Sequence, residues 1–176
     1  MRMGSSRALE VDWPPKTEGC VPLRPQTTPD GAVVSASEPL ALSGRLSGVR
    51  RAFATRRADL SGESPLLQAE AEHRPGDLVL AEVTHIGQHA RLELADGRRS
   101  HLYTGDEILV TYGHRYAADQ FEAEIPEDLS PCNLVAAGGI ASHCLSRHSR
   151  MKAPTRITPI GVLADADGKP INLDRF

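Results

Sequence analysis

PGDLVLAEVTHIGQHARLELADGRRSHLYTGDEILVTYGHRYAADQFEAEIP, residues Pro75–Pro126, carries the densest strand-and-turn pattern in the chain and decides the fold class. Asp96-Gly97 stands between two strand-like runs, LEL and RRSHLY, and an Asp-Gly pair there favours a two-residue hairpin turn. That turn would set Leu94 opposite Arg99, Leu92 opposite His101 and Ala90 opposite Tyr103. Upstream, Thr84 to Ala90 is read as a second hairpin closing around Gly87, with His85 facing His89 across the strands. Thr104-Gly105-Asp106 reverses the chain into EILVTYG. Phe121, Ala123 and Ile125 then alternate with Glu122 and Glu124, the period of a half-buried strand. Short strands joined by tight turns point to a mainly β fold, a small antiparallel barrel or sandwich with one or two short helices.

Outward from this stretch the pattern changes. Residues 1–40 hold six prolines, which remove backbone donors and fix φ, so this segment reads as an extended or disordered arm with Trp13 as its one large apolar anchor. Residues 41–74 read as a basic amphipathic helix followed by a linker. Leu42, Leu46, Val49, Phe53 and Leu60 fall near one helical face, and five arginines against one aspartate occupy Ala41 to Leu60. The β domain is expected over 75–176. Beyond Pro131, Asn133 to Ala137 suits a short buried strand, and 138–152 shows helical spacing, with Ile140, Cys144, His148 and Met151 on one stripe. A strand from Ile160 to Ala164, an Asp167-Gly168 turn and a short strand over Pro170 to Leu173 close the chain.

Composition narrows the function classes. The 176 residues are 40% hydrophobic, enough for one good core, with the aromatic share at only 4%. A net charge of −3 argues against a general nucleic-acid binder, which carries a clear basic excess. No apolar run approaches the length of a membrane span, and the N-terminus lacks an apolar signal core, so a cytoplasmic protein is expected. Three cysteines without framework spacing suit reduced thiols.

Three constellations are candidates for chemistry. All seven histidines lie from His73 onward, and His85 with His89 forms the candidate metal pair, which makes a divalent metal the one cofactor suggested. The same hairpin register sends His101 to the opposite face, leaving that pair without a third histidine. Gly138 and Gly139, read as opening a helix, offer free backbone N–H groups to an anion. The loop Tyr112 to Gln120 gathers Tyr112, Arg115 and Tyr116 as candidate ligand contacts, with His114 as a candidate general base oriented by Asp119. Cys144 and His148, four apart, would pair on a helix but share its apolar stripe, which favours packing.

No string in the chain has the specificity of a known catalytic signature. The expectation is a non-catalytic binding or accessory module, engaging a protein partner, a second copy or a small polar ligand through the barrel and the basic helix. The alternative is a small enzyme with a histidine-based pocket on the barrel, built on His114 or on a His85/His89 metal site.

Overall fold

The apolar runs LVLA and ILVTY are continuous rather than alternating, which is what a strand covered on both faces requires. The computed structural model describes residues 46–60, 66–67 and 72–176 and shows both runs in that setting. The proline-rich arm and Trp13 lie outside the described residues. Eleven strands are present among those described: β1 Arg50–Arg51, β2 Leu66–Leu67, β3 Leu78–His85, β4 Arg91–Glu93, β5 Arg99–His101, β6 Glu107–Tyr112, β7 Arg115–Tyr116, β8 Phe121–Glu124, β9 Cys132–Ala136, β10 Ile140–Arg147 and β11 Thr155–Leu163. The mainly β expectation holds, and no described helix reaches seven residues. None is long and apolar enough to cross a membrane.

β6, β3, β11, β9 and β10 pair in that order, all antiparallel, and β10 returns to β6 through a parallel seam at Ile140↔Thr111 and Ala141↔Tyr112. The sheet therefore closes on itself, which removes an open edge there. β10 outruns the ring: its first half pairs with β9, and its second half carries the β7–β8 hairpin. Val79, Ala81, Val83, Ile108, Val110, Leu134 and Ile157 belong to one core cluster, all fully buried. Leu78, Leu80, Leu109 and Leu163 form a second, covered by Leu46, Val49, Ala58, Leu60 and Ile171. Each leucine so covered contributes about 2 kcal/mol.

Over its described part, 46–60, the helix expected from 41 to 60 is replaced by two 3-10 turns, Leu46–Gly48 and Phe53–Thr55, flanking β1. Leu46, Val49 and Leu60 do dock on the sheet, but in a strap whose Arg50 and Arg51 pair in parallel with Ile108 and Leu109, and Leu42 lies outside the described residues. Backbone bonds available from a neighbouring strand outweigh the small helical propensity of a segment containing Gly48. The arginines are not simply solvated. Arg51 donates to the carbonyls of Thr55 and Ala58 at 2.8 and 2.7 Å, and Arg50 meets Asp106 at 3.1 Å.

The helix expected over 138–152 is likewise a strand, β10. Ile140 and Cys144 are an even number of residues apart, so they share a face at period two as well as at helical spacing. They pack with Met151 on Phe121, Ala123 and Val135.

The Asp96-Gly97 turn forms with a register one residue from the expected one: Arg91↔His101, Leu92↔Ser100 and Glu93↔Arg99. Leu94 N–H donates to Arg98 O, and Gly97 N–H to Leu94 O, leaving three residues in the loop rather than two. Gly97 at φ +82° takes the left-handed position of this longer loop. The Asp96 carboxylate fixes it by accepting from Arg98 N and Nε. The other expected turns, at Gly105 and Gly168, form, as do the alternating strand β8 and the buried strand β9.

Candidate functional site

The hairpin expected to join His85 to His89 does not form. His85 ends β3, exposed and opposite Arg156, while the chain beyond it runs along residues 152–155. Gly87 N–H donates to Thr155 Oγ1, Gln88 N–H to Ala153 O, and Thr155 Oγ1–H to His89 O. Those bonds draw His89 away from β3. Its Nε2–H donates to Val135 O at 3.1 Å, and its ring stands edge-on to Phe121. Burial holds the imidazole pKa below its ordinary value, with Arg115 adding to the effect and the Val135 bond opposing it. With Nε2–H so engaged, the ring keeps its lone pair on Nδ1 alone, and His85 is not brought opposite it. Among the described residues, no group of three or more His, Cys, Asp or Glu is placed to hold a metal ion.

Gly138 and Gly139 do not open a helix. They form the tight β9–β10 turn, in which Gly139 N–H donates to Ala136 O while Gly138 O and Gly139 O accept from Ala54 and Thr111 N–H. Gly139 sits at φ +100°, and a Cβ placed on it would meet Ala52 Cβ at 2.1 Å. The glycine is there for close approach to the strap.

The stretch Tyr112 to Gln120 runs from the end of β6 through β7 to the turn before β8, and its candidate residues separate. Tyr112 is buried against the His73 ring at 4.9 Å, and burial raises its phenol pKa. Arg115 donates to Gln120 Oε1 at 2.7 Å, not to Asp119. Tyr116 is 79% exposed, and His114 and Asp119 are exposed with no hydrogen bond joining them.

A different group of residues does converge. On the outer face of the ring, Arg156 of β11 lies opposite His85 of β3 on one side and Asn133 of β9 on the other. Residues directly opposite in antiparallel strands project to the same face, with Cβ atoms about 5 Å apart. Asn133 Oδ1 accepts from Cys144 N–H at 3.2 Å, which leaves the amide NH₂ as the free end of that side chain. Beyond it, β10 contributes His143 and Arg147, and Arg147 Nη1 donates to Met151 O at 2.9 Å.

These side chains line a groove of about 910 Å³, which holds two arginines and two histidines and no carboxylate. Burial raises the Cys144 thiol above its ordinary pKa and pushes the Cys132 thiol up to about 12, so neither adds negative charge at neutral pH. Its lining side chains offer two guanidiniums and the Asn133 amide as donors. No family model, curated protein or solved structure matches the chain.

Proposed function

We propose that the chain is a non-catalytic binding module whose outer groove holds an acceptor-rich organic anion. The observation that carries this reading is the convergence of His85, Asn133, His143, Arg147 and Arg156 on one concavity without a carboxylate. Two guanidiniums supply permanent charge and fork-shaped donors suited to carboxylate or phosphate oxygens. A volume of about 910 Å³ lies in the range of small-molecule sites, large enough for an organic anion rather than a lone inorganic one. The enzyme alternative drew on His114 oriented by Asp119 or on a His85/His89 metal pair; His114 and Asp119 share no hydrogen bond, and the hairpin that would set His85 against His89 does not form.

The test is an NMR titration of ¹⁵N-labelled protein with citrate, AMP and the neutral control adenosine. Shifts at residues 133, 143, 147 and 156 are expected with the anions and not with adenosine. Arg156→Ala and Arg147→Ala should each weaken anion binding roughly five- to tenfold, the value of one charge-assisted contact in a partly exposed site. Shifts that map elsewhere, or that survive both substitutions, would overturn the reading.

A further inference from the structure

Beside the cationic groove lies a second concavity of opposite character. It has a volume of about 320 Å³ and is lined by Glu124, Glu127 and Asp128, with Leu145 on its wall and no arginine or lysine. Asp128 is held ionised by the Ser130 side chain and N–H, which keep its pKa below the ordinary value. The two grooves share one residue, His143, whose cross-strand partner is Glu124. A surface carrying adjacent patches of opposite sign is complementary to itself: a twofold axis near His143 sets each cationic groove against the acidic groove of the other copy. That is the isologous geometry of a twofold dimer. Leu145, 53% exposed on the wall of the acidic groove, supplies an apolar group to the same face.

We infer that this face is a self-association surface and that its occupant is a second copy of the chain, held by Arg147 and Arg156 against Glu124, Glu127 and Asp128. The inference goes beyond anion binding but shares its groove. An anion bound there competes with the acidic groove of the second copy, so ligand and dimer exclude one another.

Charge reversal on each side tests the pairing. Arg147→Glu/Arg156→Glu and Glu124→Lys/Glu127→Lys alter exposed side chains only, and circular dichroism and melting confirm that both variants fold. Sedimentation velocity of the wild-type chain at low salt is expected to show a monomer–dimer equilibrium. It should weaken at least tenfold when NaCl rises from about 50 mM to about 500 mM, since exposed charges are screened over that range. Each variant alone should be monomeric. Their equimolar mixture should form a heterodimer by native mass spectrometry, because both half-interfaces are then again opposite in sign. Citrate should dissociate the wild-type dimer.

A wild-type chain that stays monomeric at low salt, a dimer that survives either reversal, or a mixture that stays monomeric would each overturn the inference. Monomeric protein that still binds citrate through Arg147 and Arg156 would sink the dimer and leave the proposed function standing. Loss of citrate binding as well would sink both.

Discussion

Replacing Gly139 by alanine should destabilise the fold through two separable effects. Gly139 adopts φ +100°, a region where an L side chain costs about 1–3 kcal/mol. Its added Cβ would also lie 2.1 Å from Ala52 Cβ, far inside van der Waals contact. Overpacking of this kind adds about 1–3 kcal/mol, because Ala52 is fully buried in a strap pinned by Ala52 N–H to Leu109 O and Ala54 N–H to Gly138 O. The sum, about 2–6 kcal/mol, is a large part of a typical stability of about 5–15 kcal/mol.

Gly168→Ala is the control. Its φ is +76°, and nothing lies within 4 Å of the added Cβ, so only the backbone effect, of about 1–2 kcal/mol, applies. Urea unfolding of Gly139→Ala, Gly168→Ala, Ala52→Gly and the double variant Ala52→Gly/Gly139→Ala separates the terms. With m unchanged, the midpoint shifts report stability. The double variant should recover the steric part of the loss, a coupling of about 1–3 kcal/mol between residues in contact. If Gly139→Ala costs no more than Gly168→Ala, to within about 0.5 kcal/mol, or if the cycle shows no coupling, the strap does not sit against the β9–β10 turn as described.

Two further outcomes are expected. Asn172→Ala should cost about 2–4 kcal/mol in thermal or urea unfolding, since Asn172 Nδ2 donates to Pro75 O at 2.8 Å and to Asp77 Oδ1 at 2.9 Å, and Asp77 is buried. A loss under about 0.5 kcal/mol would show that the carboxylate finds water instead. His89 predicts a pH dependence. Its folded pKa is lowered from the ordinary 6.5, so the unfolded chain takes up more protons as pH falls through 6.5, and stability is lost on acidification. In His89→Gln, whose amide can still donate to Val135 O, the slope of stability between about pH 7 and about pH 5 should flatten, and an unchanged slope would refute the assignment.

Much of the fold was legible because its turns and its buried runs leave local signatures. The turns at Gly97, Gly105 and Gly168 were marked by Asp-Gly or Gly-Asp pairs, and the alternation of Phe121–Glu124 gave a strand with one buried face. The errors arose where local pattern permitted two answers and a distant strand chose between them. Ile140 and Cys144 satisfy period two and helical spacing alike, and pairing with β9 and β8 selected the strand. Leu46, Val49 and Leu60 satisfy an amphipathic helix, but β6 offered Arg50 and Arg51 a parallel ladder. The parallel seam between β6 and β10 joins residues about 30 apart in sequence, and no turn signal marks such a closure.

The cationic groove was hidden for a different reason. Exposed polar residues carry no burial pattern, so only register can bring them together. Arg156 faces both His85 and Asn133 because β11 shifts register against β3 between Arg156 and Ile157, while its pairing with β9 runs through without a break. Without that shift, Ile157 facing Val83 would set Arg156 opposite Thr84 and His85 opposite Thr155. A second irregularity, between Cys144 and Ser146 where β10 meets β8, lies between His143 and Arg147, both of which reach the groove. Bulges of this sort re-aim side chains at a sheet's surface. The candidate site therefore depends on two local departures from regular pairing, which the spacing of histidines and arginines along the chain does not encode.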